Sequence, residues 1–84
     1  MMNESLDLGS LRTGQFAVVI DEISTGIVLN TDTLERCRDG KSDFVVAQSY
    51  EAAVEIAKSL LARSSDIEAM IFNSDGDYVK HVRL

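Results

Sequence analysis

The clearest hydrophobic period in the chain is helical. At about 100° per residue, Tyr50, Ala53, Val54, Ala57, Leu60 and Leu61 fall on one side of a cylinder, and Glu51, Glu55, Lys58, Ser59 and Arg63 on the other. Ser49 stands where an N-cap oxygen would accept from the free amides of the first turn. The acids lead and Arg63 trails, as the helix dipole favours. Ser64-Ser65-Asp66 ends the pattern. The spacing predicts a helix over 50–63, with alanines that let it approach a sheet closely.

The other apolar runs are short and rich in β-branched residues. Residues 16–20, FAVVI, are apolar without alternation, the pattern of a strand covered on both faces. Ser24-Thr25-Gly26 reads as a turn and 27–29 as a second short strand, together an antiparallel hairpin. Residues 43–47 form a third strand that runs into the helix, and 67–73 and 78–84 form two more. Between the second and third strands, Asp32 and Glu35 have the spacing of a capping box. Gly40 sits where such a helix would stop, so one or two helical turns are expected over 33–39. The order β-β-short α-β-α-β-β predicts an α+β fold, a largely antiparallel sheet of about five strands packed on one main helix. Residues 1–14 are polar and broken by Gly9 and Gly14, which predicts a flexible tail before a single domain over 15–84. The alternative is an arm anchored on a partner by Leu6, Leu8 and Leu11.

The stretch FNSDGDY, residues 72–78, admits two readings. A calcium loop needs acidic ligands at set positions. With Gly76 at the loop's glycine position, its first and last ligands would be Ile71 and Val82, so that reading fails. A type I turn over 73–76 with a left-handed Gly76 fits a three-residue hairpin loop. That loop predicts Phe72 opposite Tyr78, Ile71 opposite Val79, Met70 opposite Lys80 and Ala69 opposite His81. One face of the hairpin then carries Ile67, Ala69, Ile71 and Val79, and the other Met70, Phe72, Tyr78 and Val82. A two-residue turn at Asp75-Gly76 would shift the register by one. One helix covers one face, so Met70, Phe72, Tyr78 and Val82 are the candidate protein-interface residues. Methionine and aromatic side chains are enriched in such patches.

Composition narrows the partners. With 84 residues the chain makes one domain, and at this size folding buries only about 60% of the unfolded surface, which favours self-association. The formal net charge is −6, and each half of the chain holds 7 acids and 4 bases. A nucleic-acid binder commonly shows a basic stripe, and none is visible here. An anionic membrane is an equally poor partner, and no apolar run approaches the roughly 18 residues of a membrane helix. The first eleven residues lack the apolar core of a signal peptide. The lone cysteine, Cys37, cannot form an internal disulfide. The cytoplasm is the expected compartment.

The chemistry-bearing residues are sparse. Cys37 and His81 are single and unpaired in the sequence, the first read as a packing residue and the second as an edge residue. No zinc, thiol-redox or nucleophile-elbow motif occurs. Asp39-Gly40-Lys41-Ser42 lacks the glycine-rich lead of a phosphate loop. Asp21 and Glu22 are adjacent on a strand and point to opposite faces, and Asp75 and Asp77 belong to a turn. No catalytic, metal or cofactor residues are assigned, and the protein is not expected to be an enzyme.

The segment TGIVLNTDTLERCRDG, followed by a strand and then SYEAAVEIA, resembles the N-terminal hybrid-binding domain of ribonuclease H and its viroplasmin relatives over about 16–57. The C-terminal half, a helix followed by a DG hairpin, resembles small bacterial domains of unknown function. The first resemblance implies a related fold and affinity for RNA–DNA hybrids. The family binds hybrids through aromatics, including tryptophan, and through lysines on the strand before the helix. The chain has no tryptophan, and residues 44–48 read FVVAQ, so those binding residues do not carry over. The leading expectation is a non-enzymatic acidic protein-interaction module, an inhibitor, immunity or regulatory protein that meets a protein partner or a second copy of itself. An acidic mimic of nucleic-acid phosphates would fall within that class. The alternative is a nucleic-acid-binding domain.

Overall fold

The computed structural model describes residues 11–37 and 43–83. Five strands and one helix follow in the order β1 (Phe16–Glu22), β2 (Val28–Leu29), β3 (Val45–Ala47), α1 (Tyr50–Leu61), β4 (Ile67–Asn73) and β5 (Tyr78–Val82). Every strand pairing is antiparallel. The α+β architecture is as the pattern predicts, with α1 lying across one face of the sheet.

Strand β1 is the spine of the sheet. Along one side it pairs with β4 over seven residues, from Phe16 opposite Asn73 to Glu22 opposite Ile67. Along the other, β3 meets its first half and β2 its second. Ala17, Val18, Val19, Ile20 and Asp21 are all buried, which explains their unbroken apolar run up to the aspartate. The alternation of side chains sends Val18 and Ile20 towards α1, where they meet Ala53, Ala57 and Leu61, with Ala69 and Ile71 from β4. The alanines bring the helix close, and the large side chains of the sheet fill the layer. Each fully buried Val, Ile or Leu there contributes about 1.5–3 kcal/mol.

Ser49 caps α1 through its side-chain oxygen, which accepts from the Ala52 amide at 3.1 Å. At the other end the Arg63 guanidinium donates to the carbonyls of Thr31 and Asp32, tying the end of the helix to the loop after β2.

That loop departs from expectation. No helix forms over 33–37, and residues 38–42 lie outside the described residues. Asn30, not Asp32, acts as the cap: its side-chain oxygen accepts from the amides of Asp32 and Thr33 at 2.8 and 3.0 Å. One turn closes when the Leu34 amide donates to the Asn30 carbonyl, and Leu34 then takes a left-handed φ of 65°. The chain doubles back beside β2, with an isolated bridge between Leu29 and Arg36 and a bond from the Cys37 amide to the Val28 carbonyl. Pairing with the sheet edge satisfies backbone groups that a two-turn helix would leave free. Asp43 locks the return by accepting from both the amide and the hydroxyl of Thr31 at 2.8 and 2.6 Å.

Of the expected tail, 1–14, only 11–14 are described. Residues 1–10 lie outside the described residues, and so do Leu6 and Leu8 of the predicted arm. The Gln15 amide donates to the Arg12 carbonyl, and the Arg12 amide to the Gln15 side chain at 2.8 Å. A turn with Gly14 at φ 91° thus leads directly into β1.

The β4–β5 hairpin carries the decisive correction. Its loop is the one the sequence predicts. Asn73 and Asp77 close it, the Gly76 amide donates to the Asn73 carbonyl, and Gly76 sits at φ 86°. Phe72 faces Tyr78 as expected. The register then shifts by one: Ile71 faces Lys80, Met70 faces His81 and Ala69 faces Val82. Val79 is the extra residue of this bulge. Val82 therefore lies with Ala69 and Ile71 beneath the helix, 8% exposed, whereas Val79 is 42% exposed. Val82 does not share a face with Met70, Phe72 and Tyr78. The physical reason is that Val79 and Val82 are three apart, so an unbroken strand would place them on opposite faces and put His81 beneath the helix. The bulge exchanges a costly buried imidazole for a valine.

Candidate functional site

The sheet face away from α1 is set by the same alternation. It carries Ala17, Val19 and Asp21 from β1, Glu68, Met70 and Phe72 from β4, and Val46 from β3. Beyond the bulge it receives His81 and Arg83, and before it Tyr78. Ala17 and Val19 at its centre are buried. The two ends of the face differ in kind. They are four residues apart along β4, about 13 Å at strand rise.

One end is aromatic. Phe72 and Tyr78 meet edge to face, with ring centroids 6.0 Å apart. Phe72 and Met70 are half-buried, and Tyr78 is 56% exposed. Val46 is also exposed on this face, one strand beyond Ala17. The loop that follows Phe72 carries Asp75 and Asp77, both exposed. The Asn73 side chain holds their amides at 2.9 and 3.0 Å, so this acidic turn has a defined shape. Three of the four interface residues expected from the sequence, Met70, Phe72 and Tyr78, are thus neighbours on one face, and Val82 is in the core.

The other end is ionic. Asp21 lies directly across from Glu68. It is only 8% exposed, and its Oδ1 has no hydrogen-bond partner among the described residues. Glu68 in turn meets His81 at 2.6 Å and Arg83 at 3.3 Å. Burial, then the hydrogen bond and negative charge of Glu68, push Asp21 up to about 6, against the opposing pull of His81. Burial raises Glu68 as well. The hydrogen bonds from His81 and Asp21, and the charges of His81 and Arg83, outweigh it and hold Glu68 below the usual carboxylate range. Two facing carboxyls thus have unlike affinities for a proton, the arrangement that separates acid from base in many sites.

Sequence reasoning looked for paired acids among neighbours in the chain and missed this cluster, whose members lie on three strands. The available signal was the odd acid at the end of the continuous apolar run 16–20. Among the described residues no group of acids, histidine and cysteine is arranged to hold a metal. A shallow depression bounded by Glu22, Leu34, Glu35 and Arg36 lies elsewhere, beside β2. There Glu22 is already engaged by Arg36 at 2.9 Å and by the Thr25 hydroxyl at 2.7 Å. Among the described residues no helix is long and apolar enough to cross a membrane. Comparison with protein families, with curated proteins and with solved structures finds no match for this chain.

Proposed function

We propose that the protein is a non-enzymatic interaction module that docks a basic protein segment on the aromatic end of the sheet face away from α1. The observation that carries this reading is the exposed Tyr78 ring, braced by Phe72 and flanked by the exposed Asp75 and Asp77. Such a ring offers its face to an arginine or lysine, the neighbouring carboxylates supply the complementary charge, and Met70 and Val46 offer adaptable apolar contact. The net charge of −6 steers the same class of partner. The acids of the described residues are distributed over α1, the loop after β2, the hairpin turn and the sheet. That spread favours docking at one patch over mimicry of a phosphate row. Asp75 and Asp77 would repel a nucleic-acid backbone, so the nucleic-acid reading implied by the resemblance gains no support at this site. The same reading keeps the protein in the reducing cytoplasm, with Cys37 a free thiol.

The test is quantitative capture from nuclease-treated lysate of the source organism by the wild-type chain, Tyr78→Ala, a double Asp75→Asn/Asp77→Asn chain and a Glu55→Gln control on the helix. A basic protein retained by wild type and control, and lost by both patch variants, supports the proposal. Retention by Tyr78→Ala overturns it. So does a concentration-dependent dimer abolished by Tyr78→Ala, which would make a second copy the occupant.

A further inference from the structure

Two acids that face each other across a strand pair, one of them buried with an oxygen left without a partner, do not both remain ionised without a large penalty. We propose that Asp21 and Glu68 share a single proton, and that its loss leaves two facing carboxylates that strain this end of the sheet. The groups facing the pair are identifiable on every neighbouring strand. From β4 there is Glu68 itself, and from β5 and the residue that follows it come His81 and Arg83. From β2 there is the apolar Val28, opposite Asp21. Cys37 is the next titratable group along this row, one chain beyond Val28, whose carbonyl takes the Cys37 amide. Glu22, next to Asp21 in sequence, points the other way and is held by Arg36.

With the proton in place, Asp21 donates to Glu68, which keeps one negative charge to hold His81 and Arg83. Without it, two carboxylates face each other across the strand pair, and the buried Asp21 has no basic partner of its own among the described residues. His81 and Arg83 lie on the far side of Glu68, so relief requires water to reach Asp21 or the side chains to move apart. The folded state binds this proton more tightly than the unfolded chain does. Folding is therefore favoured below the ordinary aspartate range and weakens as pH rises through the interval up to about 6. Glu68 acts in the opposite direction: its contribution is complete above the ordinary glutamate range and is lost as pH falls through its lowered value. The two together place the cluster's greatest stabilisation at mildly acidic pH.

The experiment is a carboxyl-carbon NMR titration of the full-length chain, combined with denaturant unfolding from pH 4.5 to 7.5, for wild type, Asp21→Asn and Glu68→Gln. The expected titration has Asp21 releasing its proton near pH 6, with Glu68 sensing the same step. In Asp21→Asn, where an amide can donate permanently to Glu68, the Glu68 response near pH 6 disappears. The folded-to-unfolded ratio of wild type should fall by roughly 25-fold across the range, and that of Asp21→Asn should lack this fall. In Glu68→Gln the Asp21 midpoint should drop. An Asp21 that titrates in the ordinary aspartate range, or matching pH profiles for wild type and Asp21→Asn, overturns the proposal.

Discussion

The two ends of the sheet face away from α1 are built from the same strands, yet they treat polarity in opposite ways. At the Phe72–Tyr78 end a largely exposed aromatic ring stands beside two exposed acids, Asp75 and Asp77. At the Asp21–Glu68 end an acid is buried and its neighbours, His81 and Arg83, are arranged around it. A hydrated carboxylate beside an exposed ring costs little and is available to a partner. A buried carboxylate makes demands on its own molecule, and here the two bases on the hairpin engage Glu68 and leave Asp21 without a basic partner among the described residues. One face thus carries an exposed aromatic patch with free acids at one end and a buried acid in an ion-pair cluster at the other.

The bulge at Val79 brings His81 and Arg83 to the ionic end and turns Val82 beneath the helix, so the largest predicted effect tests it. Val82→Asp places a charge beneath the helix and should cost more than about 3 kcal/mol, enough to unfold a domain of this size. Val79→Asp should change stability by less than about 1 kcal/mol. Equal effects in denaturant unfolding would mean that the strand runs without the bulge and that the two ends do not divide as described.

Next is the ionic end alone. Asp21→Asn should stabilise the protein at pH 7.5 by roughly 2–3 kcal/mol, since the wild-type acid is raised from 3.8 to about 6 and its ionised form is disfavoured by that margin. At pH 4.5 only about 1 kcal/mol of the gain should remain. A loss of stability at both pH values would show instead that Asp21 is needed as an anion. At the aromatic end, Gly76→Ala forces a side chain into a left-handed conformation and should cost about 1 kcal/mol. The amide exchange it accelerates should be confined to 72–78 and leave Glu68 and Arg83 unaffected. The smallest stability effect is expected for Tyr78→Ala, a few tenths of a kcal/mol, because the ring is largely in water already. Its consequence should appear in binding. Thermal unfolding that shows a loss above 1 kcal/mol would make Tyr78 a structural brace rather than a contact residue.

Much of this molecule is legible in its residue pattern for local reasons. The helix follows from six apolar positions at helical spacing and a serine cap, and the hairpin loop from one asparagine and one glycine at their required offsets. The burial of β1 on both faces follows from its unbroken apolar run. The Asp32–Glu35 spacing satisfies a local rule for a short helix over 33–39, yet none forms over its described part, 33–37. The sheet edge offered the same backbone groups better partners, and Asn30 and Asp43 held them there. Met70, Phe72 and Tyr78 were correctly grouped, since one turn sets their relation. Val82 was misplaced because it lies beyond the bulge.

The local order of elements, the helix face, the capping serine and the hairpin loop were determined by sequence alone, because each depends on residues within a few positions of one another. The tertiary structure decided the rest. It chose which of two parities β5 adopts, and it did so by comparing a valine with a histidine as the residue to bury beneath the helix. It also brought Asp21 from the first strand to Glu68, His81 and Arg83 of the last hairpin. The proton affinity of a carboxyl depends on burial and on charges within a few ångströms, and those neighbours exist only after the sheet has formed.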